Sequence, residues 1–216
     1  MNERVGEREG FAAFILRMRA RGVINNALFS AMEATPRGSF VPVEWHAWTW
    51  SHRSVPIDCG ESIEGCDLQA VVLDALNVGS NHKVLEIGTG SGYTAAVLSR
   101  ISSKVVSLDR FKRLIEDARV RHDALGIKNV MCRQGNGLDP VEDSPFDRIV
   151  AWAAFDEPPR RYAEMLTSGG VLVAPVGPAE DVQMIQRFVK TGSRFERTDI
   201  MPVRLQPLAK GIAQAI

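Results

Sequence analysis

The run VLEIGTGSGY, Val84 to Tyr93, places a carboxylate, Glu86, two residues ahead of a turn that carries Gly88, Gly90 and Gly92. Glycines at this spacing let the backbone turn tightly and approach a ligand with no Cβ atom in the way. The dinucleotide fingerprint G-x-G-x-x-G would need glycine where this chain has Tyr93, so the turn is of a different kind. Further on, KVVSLD ends in Asp109. An acid at the end of the next strand can accept hydrogen bonds from both hydroxyls of a ribose. Together these residues are suited to hold a ribose-bearing ligand over a glycine turn.

The other reactive residue types form no such pattern. His46, His52, His82 and His122 have no spacing that suggests a metal site or a catalytic triad. Cys59, Cys66 and Cys132 are odd in number and match neither a CxxC pair nor a zinc ligand set, which points to a reducing compartment. With 26 Lys plus Arg against 26 Asp plus Glu, the 216-residue chain has no net charge and lacks the basic excess that binding many phosphates requires. Nucleic acid is therefore not an expected partner. The N-terminal MNERVGEREG has no apolar segment of the kind found in signal peptides, and the apolar run Ile149 to Phe155 is far shorter than the ~20 residues that span a bilayer. A soluble, cytoplasmic protein without a membrane partner is expected.

The elements that must position Glu86 and Asp109 follow from hydrophobic period, which changes near residue 80. Before it, Phe11, Phe14, Ile15 and Met18 recur at helical spacing, and Leu28, Ala31 and Met32 follow an expected Asn26 cap. Leu68, Val71, Val72, Ala75 and Leu76 form a third helical face behind an expected Asp67 cap. Arg17, Arg19 and Arg21 read as a solvated helix end, and Trp45, Trp48 and Trp50 as packing of a cover over a sheet. From Lys83, short apolar runs (KVLEI, KVVSL, NVMCR, DRIVAW, GVLVAPV) alternate with helical stretches, which predicts βαβ units in a parallel sheet. After Gly177, residues 182–190 and 194–203 flank the turn Thr191, Gly192, Ser193 and predict an antiparallel hairpin. The expected fold is α/β: a Rossmann-like, doubly wound, mostly parallel seven-stranded sheet with a C-terminal antiparallel hairpin and an N-terminal helical cover. Residues 1–80 form the cover and substrate segment, and residues 81–216 form the cofactor-binding core.

The chain resembles the class I S-adenosylmethionine-dependent methyltransferases, and among them the protein-L-isoaspartate O-methyltransferase family. The blocks that carry the likeness are PRGSFVP, VPIDCGESI, VLEIGTGSGYTAAVLS, QGNG, PFDRIVAWAA and LTSGGVLVAPVG, in that order. The resemblance implies S-adenosyl-L-methionine as cofactor, held by Glu86, Gly88, Thr89, Gly90, Gly92, Asp109 and Asn136. It also implies carboxyl methyl transfer to isoaspartyl residues of damaged proteins, a repair activity. A carboxylate with a pKa near 4 is already ionised at neutral pH, so this transfer needs no general base.

Two positions depart from the family pattern. Asn136 stands in QGNG where the family usually has an acid, and it can still accept a hydrogen bond from an adenine amino group. The block GQTIS-x-P appears as GESIEGC, so Glu61 replaces Gln, Ser62 replaces Thr, Glu64 stands at the serine beside the transferring methyl, and Cys66 stands at the proline. Ser62 and Glu64 are therefore the candidate catalytic positions. A charged Glu64 about 4 Å from a carboxylate acceptor would repel it by about 1–4 kcal/mol, depending on the local dielectric. Weak activity on isoaspartyl peptides, with a gain on Glu64→Ser, is the expectation. Two other readings stay open: a methyltransferase of the same fold with a changed acceptor, and a cofactor-binding module without turnover.

Overall fold

Consecutive apolar residues in KVLEI and KVVSLD can all be buried only if both faces of their strands are covered. The computed structural model, which describes residues 2–213 with side chains from residue 6, provides this with one sheet between two cores. The last three residues of the 81–216 unit lie outside the described residues. Before residue 80 come α1 (Asn2–Ala20), α2 (Asn26–Glu33) and α3 (Cys66–Leu76), with the two-residue strands β1 (Val55–Pro56) and β2 (Ser62–Ile63) paired antiparallel ahead of α3. Then follow β3 (Lys83–Ile87), α4 (Tyr93–Ser99), β4 (Lys104–Asp109), α5 (Lys112–Ala124), β5 (Val130–Gln134), β6 (Phe146–Ala151) and β7 (Leu166–Val176). The hairpin is β8 (Gln183–Thr191) and β9 (Arg194–Val203).

The seven large strands lie in the order β5-β4-β3-β6-β7-β8-β9. The β3–β4, β4–β5, β3–β6 and β6–β7 pairs are parallel, while β7–β8 and β8–β9 are antiparallel. The expected mostly parallel sheet, closing hairpin and helical cover are all present. Because β3 pairs with β4 on one side and with β6 on the other, the strand order reverses there, and the crevice beyond the strand ends is where open α/β sheets take ligands.

Strand alternation divides the core. Val84, Val105, Val150 and Val173 pack with Phe14, Leu28, Leu73 and Leu98 of α1–α4. Leu85, Val106, Ile149 and Leu172 face the other way, onto Val141, Phe155, Tyr162 and Met165. This second face carries no α-helix, because the connections from β5 to β6 and from β6 to β7 hold only a 3-10 turn, Arg160–Ala163. The expected alternation of strand and helix therefore stops at β5. Pro140, Pro145, Pro158 and Pro159 in these connections lack the N–H that a helix interior requires.

Three local expectations are corrected. Asn25, not Asn26, caps α2, its Oδ1 accepting from the Leu28 N–H at 3.0 Å. Asp67 is not the cap of α3: Gly65 holds that position, and Asp67 is buried one turn in, where Arg17 donates to it at 2.9 Å and Arg21 lies at 3.6 Å. Arg17 and Arg21 are accordingly not a free solvated end but the link between α1 and α3. A buried carboxylate needs such partners to stay charged. Trp50 packs on Phe11 and Phe14, with centroids 4.8 and 5.5 Å apart, within the cover.

Candidate active site

The β3–β4 register sets Glu86 opposite Ser107, and on the other side Glu86 faces Val150 of β6. Glu86 is fully buried and accepts three hydrogen bonds: from Thr94 Oγ1 of α4, from Ser107 Oγ at 2.6 Å and from Trp152 Nε1 at 3.1 Å. Burial pushes its carboxyl up to about 7 against the pull of these donors toward the charged form. Glu86 therefore joins four elements below the crevice and does not line it.

The glycine turn is tied to the end of β4. Gly88 N and Thr89 N both donate to the Leu108 carbonyl, at 2.8 and 3.2 Å. Gly90 N donates to Asp109 Oδ2 at 2.9 Å, and Phe111 N donates to Asp109 Oδ1 at 3.0 Å. Burial raises the Asp109 pKa, and the backbone donors of Gly90, Phe111 and Arg110 oppose the shift. Gly88 has φ +94°, and a Cβ there would come within 3.2 Å of Trp152 Cβ, so only glycine keeps the turn against this side chain. Gly92 serves a different purpose. At φ +88° its missing Cβ would stand 2.8 Å from Ala118 Cβ, and His122 Nε2 lies 2.8 Å from its carbonyl, so Gly92 seats α4 on α5.

A cleft with about 1000 Å³ of empty space, its solvent-open mouth included, lies over this turn. Gly88, Thr89, Gly90 and Asp109 line it, as do Ser62 and Glu64. These sequence-predicted site residues are thus brought together on one wall. Glu86, Gly92 and Asn136 do not line it, although Gly135 and Gly137 on either side of Asn136 do. The Asn136 side chain is engaged in its own turn, accepting from the Leu138 N–H at 3.1 Å and donating to Asp139 at 3.0 Å.

At the opposite end, Glu64 is partly exposed, with Ser62 Oγ 3.5 Å from its Oε1. Burial pushes the Glu64 carboxyl up to about 7, opposed by the Ser62 hydroxyl and the nearby Arg37 charge. Arg37 is 1% exposed and organises this end from behind: it donates to the Thr49 carbonyl at 2.6 Å, to Gln69 Oε1, and to the Glu64 backbone carbonyl at 2.6 Å. Its guanidinium stacks over the Tyr93 ring at 4.5 Å.

Sequence reasoning missed Trp152, Tyr93 and the tail that follows β9. Gln206, Pro207, Leu208 and Ala209 line the cleft, held by Ala154 N to Gln206 O and Leu208 N to Ala154 O, each 2.8 Å. With its amide nitrogen turned toward the carboxylate, Gln206 also donates to Glu61 at 3.1 and 2.5 Å. The only sequence signal for Trp152 was an aromatic directly after an apolar strand, and the tail gave none.

Comparison with known proteins places this geometry. The family model described as Protein-L-isoaspartate(D-aspartate) O-methyltransferase (PCMT) matches residues 11–213. A protein-L-isoaspartate O-methyltransferase of Azorhizobium caulinodans is 41% identical over 214 residues, covering 99% of each chain. One of Rhizobium meliloti is 39% identical over 92% of this chain and 98% of its own. Among solved structures, a protein-L-isoaspartate O-methyltransferase superposes with a TM-score of 0.79 at 25% identity, over 92% of this chain and 66% of that one. A Plasmodium falciparum protein described as such an enzyme in complex with S-adenosyl-L-homocysteine has a TM-score of 0.78 at 20% identity over 92% and 97%, a likeness of fold. On the family match and the end-to-end identity, the chain belongs to the protein-L-isoaspartate(D-aspartate) O-methyltransferase family.

Proposed function

We propose that this chain transfers a methyl group from S-adenosylmethionine to the free carboxylate of isoaspartyl residues in proteins. The observation that carries the reading is 41% identity over 99% of both chains to an enzyme of that name. The cleft fits the cofactor. Each Asp109 oxygen holds one backbone N–H and keeps a lone pair for a ribose hydroxyl, and the turn at Gly88 and Gly90 lets a ligand lie against bare backbone. Gly135 and Gly137 offer the same close approach on the neighbouring wall.

S-adenosylmethionine, when bound, supplies a sulfonium methyl that a nucleophile displaces from a neutral thioether. The chain's residues hold and orient. Glu86, through Thr94, Ser107 and Trp152, fixes the turn relative to the strands, and Ser62 and Glu64 form the wall at the acceptor end. An acceptor already ionised needs position more than proton transfer, and in-line placement alone can supply much of the rate. The product is a methyl ester, whose loss through a succinimide leads back toward aspartate. The free cysteines Cys59, Cys66 and Cys132 support a cytoplasmic setting, and no helix among the described residues is long and apolar enough to cross a membrane.

A changed acceptor is the second reading, favoured by the carboxylate of Glu64 on the cleft wall. Incubating an aged protein with the chain and S-adenosylmethionine separates the two. The isoaspartyl content should fall over repeated methylation cycles. Constant content despite cofactor binding would favour the changed acceptor.

A further inference from the structure

The cleft carries three carboxylates, Glu61, Glu64 and Asp109, against one cation, Arg110. Among the described residues none of the three has a Lys, Arg or His within ion-pair distance. They differ in what else they hold. Both Asp109 oxygens accept backbone N–H groups, and Glu61 accepts from Gln206. Glu64 has only the Ser62 hydroxyl, at 3.5 Å. The one cation behind it, Arg37, has its donors engaged by Thr49, Gln69 and the Glu64 backbone carbonyl, so the guanidinium anchors the main chain and leaves the carboxylate unpaired.

A second group at this end also lacks a partner. The Tyr93 hydroxyl belongs to a residue that is 1% exposed and lines the cleft, and it makes no hydrogen bond. Buried polar groups are nearly always satisfied, and one left open beside a cleft marks where a ligand atom completes the bonding. A substrate that offers an oxygen to Tyr93 and a cation to Glu64 satisfies both.

Resting on the reading that isoaspartyl proteins are the substrate, we infer that Glu64 makes the acceptor end of the cleft select isoaspartyl sites flanked by a cationic side chain. The flanking Lys or Arg pairs with the Glu64 carboxylate and removes the like-charge repulsion that a bare acceptor carboxylate would meet there. An acidic flank adds to that repulsion. Glu61, at the same mouth, contributes charge of the same sign.

The test uses two isoaspartyl peptides that differ only in the residue after the isoaspartyl linkage, Lys in one and Glu in the other. Native chain, Glu64→Gln and Glu64→Ser are compared at about pH 8, where the carboxylate is ionised. The native kcat/KM should favour the Lys peptide by about ten-fold or more, and both variants should narrow the ratio to below about three-fold with S-adenosylmethionine affinity unchanged. A native ratio near unity, or a ratio that survives both substitutions, overturns the inference. So does loss of S-adenosylmethionine affinity in Glu64→Gln, which would assign the carboxylate to the cofactor's own cationic groups. If neither peptide is methylated, their binding in the presence of S-adenosylhomocysteine, read by fluorescence polarisation, carries the same contrast. A Lys preference erased by Glu64→Gln then sustains the role of Glu64 and removes only the isoaspartyl reading; equal binding of the two peptides overturns it.

Discussion

The Trp152 indole donates to the buried Glu86 carboxylate at 3.1 Å, joining the residue after β6 to the heart of β3 directly beneath the cleft. Trp152 is also the side chain that a Cβ at Gly88 would strike at 3.2 Å. One pair thus couples the sheet to the position of the glycine turn. Glu86→Gln keeps the shape but sets an NH2 group among three donors. It should cost about 1–3 kcal/mol of stability by chemical denaturation, and weaken S-adenosylmethionine binding by displacing the turn. Unchanged values of both would show that Glu86 does not position the site.

Asp109→Ala removes the partners of the Gly90 and Phe111 N–H groups as well as the ribose acceptor. Cofactor affinity measured by calorimetry should fall by about 1.5–3 kcal/mol, the range for hydrogen bonds to a charged group. An unaltered affinity would refute the ribose assignment.

Gly92→Ala tests the seating of α4. The new Cβ would meet Ala118 Cβ at 2.8 Å in a backbone of φ +88°, so strain and overpacking should together lower stability by about 2–4 kcal/mol. A melting curve that matches the native chain would mean that the helix shifts at no cost.

The pH dependence of turnover should follow Glu64. Burial has raised its pKa to about 7, so the group is neutral below that value and charged above it. On an isoaspartyl peptide with uncharged flanks, kcat/KM should therefore fall as pH rises through 7, by about five-fold or more. Glu64→Ser should flatten the profile and raise activity at the alkaline end. The sign for stability is the same: a carboxyl whose folded pKa lies above its unfolded value contributes stability below the unfolded value and loses it as pH rises through 7. A native profile that is flat, or that rises alkaline of 7 on the uncharged peptide, would show that the carboxylate does not meet the acceptor.

The sheet was legible because burial on both faces forces unbroken apolar runs such as KVLEI and KVVSLD, and the hairpin because Thr191, Gly192 and Ser193 interrupt two alternating stretches. Asp109, Gly88 and Gly90 were legible because strand ends and turns leave local signatures. The engagement of the Asn136 side chain in its own turn was not, since an Asn suited to an adenine is equally suited to the Leu138 N–H. Nor was Gly92, whose missing Cβ answers to Ala118, distant in sequence. The cover over the second face and the cleft-lining tail from Gln206 to Ala209 have no periodicity to read, because irregular chain is placed by tertiary contacts alone.

The central claim is tested most directly by incubating the native chain with S-adenosylmethionine labelled in the methyl group and two peptides of identical sequence, one with an isoaspartyl and one with a normal aspartyl linkage. Label should enter the isoaspartyl peptide as a base-labile ester at slightly acidic pH, where Glu64 is neutral, and should be absent from its twin. Equal labelling of both, or labelling of neither by a chain that binds the cofactor, would contradict the account.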